Sequence, residues 1–399
     1  MKEMQAVVDA IAAARNADRP LILATLIGFE GSSYRLPGAR MLLMGEGDRI
    51  GSISGGCLEN EIWRRGQSLT PQSPPLVVSY STMGQDDALW GHGSGCKGIL
   101  KILLECIDPR REPHHIRFVR DCLQNPEGGI LATVCSLEGE MDLTPGTRLM
   151  LRSDGFATAG AWPMDLASAV RQEARAALRG GRSYTKVFTT SRGRAEIFLE
   201  VIRRCLHLYI LGAGNAAVPL VRLAKELGWY ITVWDRRPAL ADPRRFPGAD
   251  AVIACPLGEA HQRLGMDDHS AAVIMTHNYH EDLDLLRTLV PSSLRYIGIL
   301  GSRDRTQQLL SSLVQEGLKI TPDHLQRVFG PVGLDIGADT PEEIALSIVA
   351  EIKASLSGRM GGFLRDRQMP IHDRSVPASN PEPAIERLNP LTHEPKPRE

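Results

Sequence analysis

The residue best suited to chemistry is Cys57, which directly follows a Gly-Gly pair, Gly55 and Gly56. Residues 58–65 are good helix formers, so the thiol would lie at a helix start. Two glycines let the backbone approach a ligand closely, and the free N–H groups of a helix start favour an anion or a thiolate. The pattern is typical of a reactive or ligating cysteine. It also fits a buried structural cysteine at a tight turn, because free cysteines are among the most buried residues.

A second cysteine, Cys96, lies inside a cluster of glycines at residues 91–98. Each glycine loses much backbone entropy on folding, so a cluster of this density is rarely accidental and indicates a structural or ligand-binding role. His92 is close by in the sequence. A metal site of Cys57, Cys96 and His92 is conceivable, although the spacing matches no standard zinc pattern.

The loop at residues 31–40, GSSYRLPGAR, carries Arg35, Arg40 and two serines. A hairpin predicted over residues 41–54 brings this loop and Cys57 to neighbouring strand ends. Arginines, hydroxyls and a helix start together would make a phosphate site. The alternative is a solvated loop whose arginines lie at the surface.

A nucleotide-type fold is indicated from residue 206 onward. A strand leads into Gly212-Ala-Gly214, an amphipathic helix follows, and a second strand ends in Asp235. This βαβ setting raises the glycine motif above a lone match, because glycines permit the tight turn and the acid can bond a ribose. Arg236 and Arg237 follow the acid and leave the choice between NAD and NADP open.

Further strands of the same domain should end beside this turn. One delivers His277 and Asn278, and another delivers Ser302 and Arg303 at the start of a helix. Ligands of open α/β sheets bind outside the carboxyl ends of the strands, so these four residues should surround one crevice with Gly212, Gly214 and Asp235. His277 could act as a general base or a ligand, or could simply cap a strand end.

Length and composition indicate a multidomain protein of balanced charge. The 399 residues, 43% of them hydrophobic, suffice for two or three domains with their own cores. A net charge of -1 argues against nucleic-acid or membrane-surface binding. No apolar run is long enough to span a bilayer. Seven cysteines without a CxxC pair do not suggest a disulfide framework, so we expect a protein of the reducing cytoplasm.

These features divide the chain into four parts. We expect a mixed α/β domain rich in Cys and Gly over residues 1–110 and a connecting α+β region over 111–203. A Rossmann-like, doubly wound parallel-sheet domain should cover residues 204–356. The remainder, 357–399, should be largely disordered, since Pro, Asn and charged residues accumulate there.

Several of these motifs together resemble the XdhC/CoxI family of molybdoenzyme maturation factors. They are PGARMLL, GSISGGCLENE, the glycine-cysteine cluster, YILGAG with WDRRP, MTHNYHEDLDLL, YIGILGSR and GLDIGADTPEEIALSIVAEI, in order across roughly residues 5–370. Asn215 stands where many members have histidine, and Lys97 where many have glycine.

The resemblance implies a carrier rather than a catalyst. Members bind the molybdenum cofactor (molybdopterin or its dinucleotide form), protect it from oxidation and work with a cysteine desulfurase that supplies its sulfido ligand. They then deliver it to an apo-molybdoenzyme of the xanthine dehydrogenase type. A thiolate is a soft ligand that suits molybdenum, so Cys57, at the SGGCLE position, is the first candidate for contact with the metal or with the transferred sulfur, and Cys96 is the second. Homodimerisation is expected as well.

An oxidoreductase remains the alternative. The glycine turn and Asp235 alone would suggest a nicotinamide-dependent enzyme with His277 as its acid/base group. The N-terminal cysteine-glycine module favours the carrier, because hydride transfer has no use for it. A Rossmann crevice that binds NAD(P), or the nucleotide half of a dinucleotide cofactor, would be compatible with a carrier.

Overall fold

The structure is a computed structural model that describes residues 2–16, 19–31, 33–45, 48–54, 58–81, 98–125, 127–152, 155, 157–159, 162–259 and 264–368. From residue 369 onward, the tail expected to be disordered lies outside the described residues. Three sheets account for the strands of the described chain.

The first sheet is antiparallel and has the order β3-β2-β1-β5-β4. Its strands are β1 (Leu21–Gly31), β2 (Arg40–Leu43), β3 (Arg49–Gly51), β4 (Leu76–Ser81) and β5 (Gly98–Ile107). The unbroken apolar start of β1 is buried on both faces, as such runs usually are. Helix α1 (Lys2–Ala13) packs on one face and α2 (Glu59–Gly66) on the other.

The second sheet is also antiparallel, with the order β8-β7-β6-β10-β9. It contains β6 (Gly129–Gly139), β7 (Arg148–Arg152), β8 (Ala157–Ala159), β9 (Tyr184–Thr190) and β10 (Gly193–Ile202). Helix α3 (His114–Gln124) precedes the second sheet and shares a core with the first sheet. Helix α4 (Met164–Gly180) packs on the second sheet and forms a separate core with it.

Side chains of the two antiparallel sheets meet directly. Ile27, Leu103, Cys135 and Phe198 form a small buried cluster between them. A bidentate ion pair between Arg40 and Glu200 lies at the same junction, with both side chains at most 5% exposed. The two sheets therefore form one packed unit.

The third sheet is parallel, with the order β13-β12-β11-β14-β15-β16, and confirms the predicted Rossmann domain. Its strands are β11 (His207–Leu211), β12 (Tyr230–Asp235), β13 (Ala251–Ala254), β14 (Ser270–Ile274), β15 (Tyr296–Ile299) and β16 (Val328–Phe329). Helices α5 (Ala217–Glu226) and α9 (Pro341–Leu356) cover one face. Helices α6 (Tyr279–Leu289) and α7 (Arg303–Gln315) cover the other, and α8 (Pro322–Leu325) follows α7.

Candidate ligand-binding site

The strand order of the parallel sheet sets the position of the crevice. From β11 the chain proceeds to β12 and β13 on one side, and from β14 to β15 and β16 on the other. The carboxyl ends of β11 and β14 therefore flank the point where the order reverses, which is where open α/β sheets bind ligands.

The glycine turn after β11 is built for close approach. Gly212 has φ +123°, and a Cβ there would lie 2.5 Å from the Met275 carbonyl at the end of β14, so no other residue fits. At Gly214, by contrast, an added Cβ would meet no described atom within 4 Å. The turn is thus tight against the sheet at its first glycine and open at its second.

Asp235, at the end of β12, braces this turn. Its side chain is 2% exposed, and it accepts a hydrogen bond from the Ala213 N–H at 2.9 Å. Arg237 donates its backbone N–H and Nε to Oδ1 and its Nη2 to Oδ2, each at 2.9 Å. Burial by itself would raise the pKa of Asp235, but the hydrogen bonds from Arg237 and Ala213 lower it overall.

Arg245 holds the turn from the other side, and sequence reasoning missed it. One of its Nη1 hydrogen bonds reaches the Ala213 carbonyl at 2.7 Å, and Nη2 reaches Asn215 Oδ1 at 3.0 Å. Nothing in the local sequence distinguishes this arginine from the others between residues 236 and 245. Asn215 therefore serves, in this structure, as the acceptor for Arg245.

His277 has the only positive φ among the described non-glycine residues, at 60°. It lies exposed at the switch point, three residues after β14 ends. A left-handed non-glycine residue is strained, and such strain concentrates at binding and catalytic sites. The next residue, Asn278, caps α6, because its side chain accepts from the N–H groups of His280 and Glu281.

A buried network fixes the backbone next to His277. Asp282 is 1% exposed; it accepts a hydrogen bond from the Thr276 hydroxyl and pairs with Arg305 Nη2 at 2.7 Å. The Arg305 guanidinium lies 5.5 Å above the ring of Tyr279. Sequence reasoning missed Asp282 and Arg305, whose contact depends on two helices meeting beside the crevice.

Ser302 and Arg303 lie where α7 begins. The Ser302 hydroxyl caps the helix by accepting from the Arg305 N–H. Arg303 is exposed and has no ion-pair partner among the described residues. The predicted residues of this domain thus lie at the carboxyl ends of four neighbouring strands, on one edge of the sheet. That they bind a cofactor stays a prediction.

The two arginines of the loop at residues 31–40 both have carboxylate partners. Arg35, about a third exposed, forms a bidentate pair with Glu3 at 2.7 and 3.0 Å. Arg40 forms the buried pair with Glu200 and also donates to the Gly38 carbonyl at 3.0 Å. A phosphate at this loop would have to compete with these carboxylates, and the phosphate role of both arginines stays a prediction.

The predictions for Gly55, Gly56, Cys57, His92 and Cys96 fall outside the described residues. The chain on either side of residues 55–57 is held by one carboxylate, that of Glu59, which is 3% exposed. It accepts from the Ser54 hydroxyl at 2.8 Å, the Leu58 N–H at 3.1 Å and the Ser52 hydroxyl at 3.2 Å. Both flanks of the Cys57 segment are therefore anchored to the start of α2.

Within the described part of the chain, no group of three or more His, Cys, Asp or Glu could hold a metal ion. Burial raises the pKa of the Cys106 and Cys205 thiols, and that of Cys135 to about 12, and so disfavours the thiolate form that binds metals at these three residues. None of the described helices is long and apolar enough to cross a membrane.

Comparison with known proteins identifies the family. Residues 14–81 match the XdhC and CoxI family, and residues 208–352 match the XdhC Rossmann domain. A relative from Bacillus subtilis (strain 168), named as a probable xanthine dehydrogenase subunit, is 35% identical over 331 residues, covering 83% of this chain and 92% of the relative. The chain belongs to the XdhC and CoxI family. The resemblance inferred from the motifs is confirmed.

Two further matches involve an uncharacterised and a solved family relative. The uncharacterised protein YqeB of Escherichia coli (strain K12) is 31% identical over 173 residues, which are 43% of this XdhC/CoxI chain and 31% of YqeB. The crystal structure of a xanthine dehydrogenase from Bacillus halodurans superposes with a TM-score of 0.72 at 29% identity, covering 90% of this chain and 97% of that one.

Proposed function

We propose that this chain is a maturation factor that binds the molybdenum cofactor, protects it and inserts it into a molybdenum hydroxylase of the xanthine dehydrogenase family. One observation carries the proposal: both family domains occur in a single chain that covers 92% of a relative named as a probable xanthine dehydrogenase subunit. The chain is a carrier and has no turnover of its own.

Two parts of the chain would share the cofactor. The glycine turn offers a phosphate the backbone N–H of Gly214, because those of Gly212 and Ala213 are donated to the Trp234 carbonyl and to Asp235. Arg303 offers a guanidinium with no ion-pair partner among the described residues. The turn suits a phosphate, since an added Cβ at Gly214 would meet no described atom there. Cys57, between Gly56 and Leu58, would supply a soft thiolate to the molybdenum, and Cys96 a second.

The bound cofactor would supply the redox chemistry that the client enzyme later uses. The chain's own residues would bind and shelter it: Cys57, between two flanks that Glu59 anchors, would contact the metal, and the braced turn would hold the phosphate end. A cysteine desulfurase would add the sulfido ligand while the cofactor is held. We further propose that the carrier acts in the cytoplasm as a homodimer.

The proposal is tested in cells that lack this gene but express the client enzyme. Complementation with the wild-type chain should restore the molybdenum content and activity of the purified client. Cys57→Ser should restore neither although the protein accumulates normally. Cys106→Ser, which alters a half-buried thiol in β5, is the matched control and should restore both. Full client activity with Cys57→Ser would disprove the assigned role.

One observation favours a second function, that of a nicotinamide-dependent oxidoreductase. The strained His277 lies at the switch point, where an acid/base group would meet a nicotinamide. Purified protein that oxidises or reduces a carbonyl substrate with NAD(P), and loses that activity in His277→Ala, would establish it.

A further inference from the structure

The end of β12 presents cations where a Rossmann domain ordinarily presents a carboxylate to its ligand. In such domains the pyrophosphate lies on the glycine turn and the ribose lies at the end of the second strand, against an acid. Here that acid is Asp235. Its contacts decide what kind of ribose the site can accept.

The Asp235 carboxylate is already engaged. Four donors reach its two oxygens: the Ala213 N–H and three groups of Arg237, all at 2.9 Å. At 2% exposure it offers almost no surface to a ligand. A ribose diol could reach it only by displacing Arg237 from a bidentate, charge-assisted pair, and these pairs are among the stronger hydrogen-bonded contacts of proteins.

The arginines beside it remain accessible. The side chain of Arg237 is 45% exposed, and its Nη1 has no partner among the described residues. The side chain of Arg236 is 53% exposed and contacts Glu281 through Nε, and its two terminal nitrogens have no hydrogen-bond partner among the described residues. The site therefore offers unpaired guanidinium nitrogens beside a carboxylate whose oxygens are already hydrogen-bonded. Such a site binds a dianionic phosphate group better than a pair of ribose hydroxyls.

We infer that the nucleotide subsite of this crevice selects a ribose that carries a phosphate, and that Arg237 is the residue that selects it. The inference goes beyond the proposed function and requires only that the crevice holds a nucleotide, which would take the place of the cofactor's phosphate end on the glycine turn. It adds the ligand class: a nucleotide with a phosphorylated ribose, such as NADP, in preference to NAD. A molybdopterin dinucleotide, whose ribose hydroxyls are free, would not be the preferred occupant of this subsite.

The test is a titration of the purified full chain with NADP and with NAD, which differ by one phosphate. The wild-type protein should bind NADP about tenfold more tightly than NAD, because one charge-assisted hydrogen bond contributes about that much to affinity. In Arg237→Ala the preference should fall to about twofold or less, mainly through weaker binding of NADP. Arg237→Lys keeps the charge without the bidentate geometry and should give an intermediate ratio.

Arg244→Ala is the matched control. Arg244 repeats the Arg237 arrangement two residues after an acid, with its N–H and Nε on Asp242 Oδ1 at 2.9 and 3.1 Å. The Asp242 carboxylate, however, accepts no hydrogen bond from the glycine turn among the described residues. This variant should keep the wild-type preference, and thermal melts of all variants establish that they are folded.

Each other outcome overturns the inference in a distinct way. Equal affinities for NADP and NAD, or tighter binding of NAD, would show that the subsite does not select a ribose phosphate. A preference that survives in Arg237→Ala would assign the selection to another residue. Binding of neither nucleotide would remove the nucleotide subsite altogether, while leaving cofactor capture at Cys57 to be judged by its own assays. Selective NADP binding without any molybdenum cofactor binding would instead support the inference and refute the carrier function.

Discussion

Arg40 and Glu200 form a bidentate ion pair between the first two sheets, with guanidinium nitrogens 2.6 and 2.7 Å from the carboxylate oxygens. Burial by itself would lower the pKa of Arg40, yet the Glu200 carboxylate raises it overall, so the guanidinium stays charged. A charge buried at this depth depends on its partner.

Removing that partner should destabilise the N-terminal unit. Glu200→Gln keeps the side-chain shape but leaves Arg40 buried beside a neutral amide, and we expect a loss of about 3 kcal/mol in the free energy of unfolding, measured by urea denaturation. Glu138→Gln is the control on the adjacent strand, because the pair of Glu138 and Arg194 is 3.9 Å apart and exposed. Equal losses in the two variants would contradict the role given to burial.

Replacing His277 with glycine should stabilise the Rossmann domain and weaken its binding of nucleotide or cofactor. Glycine adopts φ 60° without strain, so His277→Gly should stabilise the Rossmann domain by about 0.5 kcal/mol after its backbone entropy is counted. His280→Gly, in the first turn of α6, should instead destabilise it slightly. If His277→Gly is stabilised yet binds nucleotide or cofactor as well as the wild type, the strain has no functional purpose.

The stability of the N-terminal unit should fall in acid because of a buried cluster at the sheet junction. Burial would raise the pKa of Glu105, but Arg148, 2.6 Å away, and His115 hold it at about 2, below its ordinary value of 4.5. Because the carboxyl pKa is lower in the folded than in the unfolded chain, ionised Glu105 stabilises the fold at any pH above its unfolded pKa. That stabilisation is lost as the pH falls from about 5 towards 2.

The buried His115 should also lower the stability of the fold in acid, but at a higher pH than Glu105 does. Burial, and then the charge of Arg148, lower its pKa from 6.5 to about 3, so the fold holds it neutral. Below pH 6.5 the unfolded chain takes up a proton that the folded chain does not, and stability falls. In His115→Gln the urea midpoint should therefore depend less on pH between 6.5 and about 4.5. His114→Gln, on the exposed side of α3, is the control, and an identical slope in His115→Gln and wild type would refute this account.

Glu59 should hold the described chain on both sides of residues 55–57. In Glu59→Gln the amide cannot accept from all the donors that the carboxylate holds, so the Ser54 and Leu58 N–H groups should exchange hydrogen about ten times faster. Glu61→Gln, two residues along the same helix, should leave their exchange unchanged. Unchanged exchange in Glu59→Gln would mean that other contacts hold the loop.

The Rossmann half could be predicted well because its signals are local. A strand, a glycine turn, a helix and a strand ending in Asp235 lie within one stretch of sequence. Thr340, Pro341 and Glu343 carry an equally local signal for a helix start, and the structure has a capping box there at the start of α9. Asn278 carried a similar signal, with an acid at Glu281, yet was assigned only to ligand binding; the structure shows that it also caps α6.

The contacts that sequence reasoning missed join distant segments. Arg40 and Glu200 are 160 positions apart, and no local pattern records that they meet. His115 is mostly buried because α3 packs over the strand that carries Arg148, a contact that no local pattern records. The engagement of Asp235 by Arg237 depends on rotamers, which a motif does not specify.

The most direct test of the carrier function is anaerobic binding of molybdenum cofactor to the purified chain, with Cys57→Ser and Cys106→Ser measured in parallel. Bound molybdenum and pterin are quantified after gel filtration. The account predicts retention of both by the wild type and Cys106→Ser, and a loss of at least about tenfold in affinity for Cys57→Ser. Failure of the wild-type protein to retain the cofactor, or full retention by Cys57→Ser, would contradict it.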